Sequence, residues 1–220
     1  MPIITSLLGN LLKDSKNEKD VERGIELLNS LPENQNLPPG SAELARAQAA
    51  IQEGRNLASE GQPRQADEKF MRAEELLRQA QELQPENAII ELQLAELAQL
   101  RNDLLSALIH TRNAVQIDPK YKPLEAQLFT RLGQYNAARA IYEKLLEEYP
   151  DNISFHMAIA DLLVRQRQSD DAIIAYDSLI ESYPDDPQAY LNKASLLANL
   201  GRRDEAIEEL AGVMNVTAHW

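Results

Sequence analysis

Cysteine is absent from all 220 residues, which excludes disulfides, thiolate chemistry and Cys-ligated zinc. Glycine is scarce, at 8 residues, and aromatics supply only 5% of the chain. That scarcity disfavours a β-sandwich or barrel, with its glycine turns and aromatic or β-branched strands, and favours helices. Basic residues are also short, with Lys+Arg at 22 against Asp+Glu at 35, a net charge of −13. A nucleic-acid binder needs clustered cations to displace condensed counterions. The one stretch with a positive balance, 120–150, exceeds neutrality by a single charge (Lys120, Lys122, Arg131, Arg139 and Lys144 against Glu125, Glu143, Glu147 and Glu148). We therefore expect no nucleic-acid partner. No apolar run approaches the roughly 20 residues that span a bilayer, so no membrane insertion is expected. The segment Met1–Leu12 has no basic residues before its apolar core and no small-residue cleavage site after it, so a cytoplasmic location is expected. A hydrophobic content of 44% with 26% charged residues is that of a folded chain.

What the sequence does have is a repeat. Ala107, Ala138, Ala172 and Ala206 are spaced by 31, 34 and 34 residues, and Pro85, Pro119, Pro150 and Pro184 by 34, 31 and 34. Two independent markers keep one period and share the same three-residue slip. Around them, Gly133-Gln-Tyr-Asn-Ala-Ala138, Ser169-Asp-Asp-Ala172 and Gly201-Arg-Arg-Asp-Glu-Ala206 read alike. Each unit has the pattern of a helix, a tight turn and a second helix. In the last unit, the apolar positions of 189–200 recur at helical spacing, and Gly201 supplies the left-handed residue that ends the helix. Asp204 and Glu205 then fall in the first turn of the next helix, where they complement its dipole. Ala206 lets two helices approach closely, and Pro184 stops the second helix of its unit.

This pattern resembles the tetratricopeptide repeat (TPR) family, whose unit is a 34-residue helix–turn–helix with small residues in the first helix, a turn glycine, an alanine in the second helix and a closing proline. Unit 88–121 matches through Leu94, Ala95, Ala107, Ala114 and Pro119, unit 122–152 through Gly133, Ala138, Tyr142 and Pro150. Unit 153–186 matches through Ile159, Ala160, Ala172, Tyr176 and Pro184, and unit 187–220 through Tyr190, Ala194, Gly201 and Ala206. Unit 122–152 lacks three residues of its first helix, which Pro123 starts. An atypical first pair occupies 41–85, with Ala66 and Ala73 both candidates for the second-helix alanine. The fold implied is all-α, a right-handed TPR-type solenoid of antiparallel helix pairs over 41–220, preceded by an N-terminal helical extension and linker over 1–40. In that extension Ile3, Ile4, Leu7, Leu8, Leu11 and Leu12 form an apolar stripe, a polar run Lys13–Asp20 follows, and Val21, Ile25, Leu27 and Leu28 mark a second helix before the Pro/Asn-rich stretch Leu31–Gly40.

Motifs with chemistry are missing. His110, His156 and His219 fall in different units, and no HExxH, EF-hand, phosphate-binding loop or nucleophile triad spacing occurs. Paired acids such as Asp170–Asp171 sit at helix starts, where capping accounts for them. We expect no catalytic residue, no metal and no cofactor.

The resemblance implies that the functional surface is the concave groove lined by the first helices. Repeat phase places Ile89, Leu92, Glu96, Met157, Asp161, Val164, Leu191, Ser195 and Asn199 on or near it. Some members of the family hold a peptide's terminal carboxylate with Lys, Asn and Arg at first-helix positions. Here those positions hold residues such as Leu92, Glu96, Met157, Asp161 and Leu191, so no carboxylate clamp is expected. An apolar groove with acidic flecks suits an amphipathic helix, or an extended apolar peptide with basic character. The expected function is a non-catalytic protein–protein interaction scaffold or adaptor with a protein or peptide partner. The alternative is a self-assembly module, a homo-oligomer built through Ile4, Leu7, Leu8 and Leu11 of the N-terminal stripe and through Trp220 at the other end.

Overall fold

The computed structural model describes residues 38–217 and residue 19, with side chains described as far as residue 213. Among the described residues there are ten α-helices and no strand. The chain divides between Tyr121 and Lys122 into two compact units.

The first unit holds α1 (Ser41–Ser59), α2 (Pro63–Leu83), α3 (Ala88–Leu100), α4 (Leu104–Ile117) and a 3-10 turn, Pro119–Tyr121. α1 packs on α2, and α3 on α4, as helix pairs. Along α2, Ala66, Ala73 and Ala80 are all buried, one small residue every two turns. Both sequence candidates for the second-helix alanine are thus used, and the seam runs the length of a longer helix. Between these alanines, Phe70, Leu76 and Leu77 fill a core shared with Ala47, Ala50 and Ile51 of α1 and Ile90, Leu94 and Leu97 of α3. Gly54 of α1 faces the Phe70 ring so closely that a Cβ would stand 2.5 Å from its Cε1.

The second unit holds α5 (Lys122–Arg131), α6 (Tyr135–Glu148), α7 (Ile153–Arg165), α8 (Ser169–Ser182), α9 (Pro187–Asn199) and α10 (Arg203–Thr217). α5 has 10 residues where α7 and α9 have 13, the three-residue slip of the sequence made visible. Ala160 and Ala172 share one core cluster with Tyr176 and Leu179, and Ala194 and Ala206 share another with Leu197. Side chains this small bring the two helices of a pair into close contact.

Helix starts follow local chemistry. The side chains of Asn87, Asp103, Asn152 and Asp186 accept hydrogen bonds from Ile89, Ser106, Phe155 and Gln188 backbone N–H groups at 2.9–3.3 Å, satisfying donors that the helix leaves free. The turn inside each pair carries one left-handed residue: Gly61, Asn102, Gly133, Arg167 and Gly201, with φ between 59° and 79°. At Gly133 and Gly201 a Cβ would meet nothing within 4 Å, so backbone conformation alone selects glycine there. Arg167 bears the steric cost that glycine avoids. Arg167→Gly is therefore expected to stabilise the chain by about 0.5–1 kcal/mol, read as a higher urea midpoint at unchanged slope.

Candidate functional site

In the second unit, α7 and α9 meet through side chains that lie one residue apart from, or on, the predicted positions. Asn192 of α9 donates through Nδ2 to Asp161 Oδ1 and to Met157 Sδ of α7, both at 3.4 Å. Beneath them the Tyr176 hydroxyl of α8 donates to the same Asp161 oxygen at 2.6 Å. Tyr176 itself is 2% exposed. Two predicted residues, Met157 and Asp161, are thus brought together, and Asn192 is a participant that repeat phase missed by one residue. Leu191 is exposed beside Asn192, and Ser195 follows one turn on, also exposed, as is Asn199 at the end of α9. Met157 and Val164 are half-buried and pack against the core of Ala160, Leu163, Tyr176 and Leu196. The resulting face sets the half-buried Met157 and the Asp161 carboxylate side by side under Asn192, with Leu191 exposed at the next position of α9.

The Tyr176 phenol and the Asn192 amide that donate to Asp161 are both neutral, so they orient the carboxylate without cancelling its charge. Its effect is legible in the neighbouring phenols. Burial pushes the Tyr176 hydroxyl well above the ordinary tyrosine range, and the hydrogen bond to Asp161 and that residue's charge push it further. Burial also raises Tyr142, with Asp161 again adding to the shift. Both phenols are expected to ionise late in an ultraviolet tyrosinate titration, and Tyr142→Phe and Tyr176→Phe should each remove part of the late phase. Because the folded values lie above the unfolded one, the stability from these groups is complete below pH about 10 and is lost as pH rises through the folded values.

In the first unit, Glu96 of α3 pairs with Arg55 of α1 and accepts from Gln93 at 3.2 Å. Glu96 is therefore compensated by a cation. Leu92 is half-buried on the same helix. Ile89 is 48% exposed and borders an open cleft of about 670 Å³ with Pro85, Ile117 and Tyr121. The self-association residues Ile4, Leu7, Leu8, Leu11 and Trp220 lie outside the described residues.

A polar cluster that sequence reading did not single out surrounds Glu91. This residue of α3 is only 5% exposed, yet its carboxylate accepts from Gln81 Nε2 of α2 at 2.6 Å and from Asn113 Nδ2 of α4 at 3.2 Å. His110 Nδ1 of α4 stands 2.8 Å from the same carboxylate, which requires the ring proton on Nδ1 when Glu91 is ionised. A sequence signal existed: Glu91 follows the helix start Ala88 by the same interval as Tyr190 follows Pro187, a place where another repeat packs an aromatic ring. His110 also borders a second cavity, of about 160 Å³, with Arg78, Arg101 and Ser106. His156 Nε2 stands 2.7 Å from the backbone oxygen of Pro150. Among the described residues no group of three or more His, Asp or Glu side chains could hold a metal ion, and no helix is long and apolar enough to cross a membrane.

Two family models described as tetratricopeptide repeat match residues 129–191 and 175–208, across the pairs that bear Ala138, Ala172 and Ala206. Residues 129–208 are tetratricopeptide repeats. Solved structures agree on the fold. A tetratricopeptide repeat protein from Parabacteroides merdae ATCC 43184 is 17% identical and aligns with a TM-score of 0.61 over 90% of this chain and 71% of its own. MamA from Desulfovibrio magneticus RS-1, from residue 41 to its end, is 12% identical with a TM-score of 0.54 over 79% and 96% of the two chains. Another MamA crystal structure is 16% identical with a TM-score of 0.53 over 76% and 95%. No curated protein matches the sequence. The fold class is the all-α TPR solenoid, and TPR arrays are protein–protein interaction scaffolds.

Proposed function

We propose that this chain is a non-catalytic adaptor that binds a peptide or amphipathic helix on the α7–α9 face of its second unit. The reading rests chiefly on Asp161, a carboxylate held by neutral donors and joined through Asn192 to the apolar Met157. A negative charge held by two neutral donors favours a ligand that brings its own positive charge. The apolar side chains of this face take the ligand's hydrophobic residues, and exposed Ser195 and Asn199 can pair with its backbone. The ligand is thus an apolar segment carrying a Lys or Arg. In the first unit, Leu92 and Ile89 offer apolar contacts, while Glu96 is already engaged by Arg55.

Peptide display on the whole chain tests this. Selection from a random 12-residue library, a length of about four residues per site on this face, is expected to enrich sequences with Leu, Ile or Met spaced around one basic residue. The Asp161→Asn variant should keep the apolar preference and lose the basic one, with affinity for a selected peptide falling about five- to tenfold, or about 1–1.4 kcal/mol. Enrichment of acidic peptides, or an unchanged basic preference in the variant, would remove Asp161 from the site.

A further inference from the structure

Within the second unit one kind of seam is built twice and left open a third time. On α6, two residues before the buried Ala138, Asn136 accepts a hydrogen bond at 2.7 Å from Gln166, just beyond α7. Four residues after that alanine, the Tyr142 ring stands 5.9 Å from the ring of Phe155 of α7. On α8 the same places around Ala172 belong to Asp170 and Tyr176. The Arg202 guanidinium beyond α9 is held protonated first by its hydrogen bond to Glu205 and further by the charge of Asp170. Tyr176 shares a core with Ala189 and Leu196 of α9, and Ile173 packs on Ala194, Leu197 and Ala206. Asp177 pairs with Lys193 of α9 at 2.5 Å.

α10 presents the same series 34 residues on, as Asp204, Ile207, Leu210 and Ala211. All four are exposed there. Leu210 is 45% exposed where Tyr142 and Tyr176, its counterparts, are 5% and 2% exposed, and Ile207 is 64% exposed where Ile173 is half-buried. We propose that the Ile207–Leu210 face of α10 is a docking seat for an amphipathic helix of another protein, which continues the seam and sets a basic residue against Asp204. This surface is distinct from the α7–α9 face.

The seam inside the chain specifies the occupant. Small or apolar residues in the places of Ala189 and Leu196 would lie over Ile207 and Leu210, as those two close the core of α8. A Lys or Arg just beyond the docked helix, in the place of Arg202, would meet Asp204 as Arg202 meets Asp170. One position must differ from α9. Lys193 has Asp177 to face, but the α10 counterpart of Asp177 is Ala211, so the occupant needs an apolar residue where α9 has lysine. Charge disfavours a second copy joined through this same face. Asp204 and Glu208 border Ile207 and are exposed, and two such faces would set acid against acid.

The chain's own seam supplies the probe, a peptide of residues 186–202 carrying Lys193→Leu. A hydrocarbon staple across 191 and 195, both exposed in α9, holds it helical. Its binding to the full chain is followed by fluorescence anisotropy. Saturable binding is expected, weakened at least about tenfold by Ile207→Glu in the chain, which puts a carboxylate into an apolar seat. Ile174→Glu alters an isoleucine of α8 that is 63% exposed and off the seam, and should change binding less than about twofold. Both isoleucines are exposed, so neither variant empties the core. A peptide with Arg202→Glu is expected to bind about threefold more weakly, and Asp204→Arg in the chain to restore it. No saturable binding below about 1 mM, or equal binding by the Ile207→Glu chain, would overturn the proposal. Dimerisation of the peptide-free chain in sedimentation velocity, lost with Ile207→Glu, would also overturn it, because a second copy would then hold the seat.

Discussion

Glu91→Ala is expected to lower stability by about 3 kcal/mol, among the largest losses available from a single polar side chain in this protein. The carboxylate is 5% exposed and is the shared acceptor for Gln81, His110 and Asn113, which arrive from the helices on either side of α3 in sequence. Alanine would leave all of those half-buried donors without their acceptor. Glu91→Gln keeps the shape but turns an N–H₂ group toward N–H donors, and is expected to cost about 1–2 kcal/mol. The informative comparison is Glu91→Leu with His110→Leu in one chain. Removing a donor together with the acceptor replaces part of the unmet polarity by apolar packing, so the double variant should lose less than the sum of the singles. Urea unfolding of the four proteins measures the coupling. A loss below about 1 kcal/mol for Glu91→Ala would mean that water, and not the protein, satisfies these donors.

The repeat was legible because its markers are short-range and steric. Ala107, Ala138, Ala172 and Ala206 are all buried, as a residue must be where two helices nearly touch. Helix starts at Asn87, Asn152 and Asp186 have an equally local cause, since a cap depends on the three residues that follow it. The left-handed turns were legible only where glycine stands. Arg167 holds the same conformation with no sequence signal, because the surrounding pair imposes it, while Asn102 is a residue that tolerates it. Contacts between successive first helices were the least legible. Repeat phase carries an uncertainty of a residue or two, and one residue turns a side chain by 100°. That is the difference between Leu191, exposed on α9, and its neighbour Asn192, which reaches across to Asp161. It is also why the partner of Glu96 could not be read: Arg55 is 41 residues away on a helix outside the 34-residue period.

Tyr176 joins the fold to the candidate site, and two substitutions separate its roles. Tyr176→Ala is expected to cost about 3–5 kcal/mol, the range for an aromatic side chain deleted from a core. The ring is 2% exposed and packs with Ala160, Ala172 and Leu179, so the cavity would lie at the contact of α7 with α8. Tyr176→Phe keeps the ring and removes only the hydroxyl at 2.6 Å from Asp161, with an expected cost of about 1 kcal/mol. The same change leaves Asp161 the long 3.4 Å hydrogen bond from Asn192, and so frees the carboxylate to move. If that charge recognises a basic residue of the ligand, Tyr176→Phe should weaken binding of a selected peptide about threefold while the chain stays folded, a loss of about 0.6 kcal/mol on the same scale. Asp161→Asn should then make the hydroxyl irrelevant, so that adding Tyr176→Phe weakens binding no further. Additive losses in that pair would show that Tyr176 acts on binding through the packing of α7 and not through the carboxylate it holds.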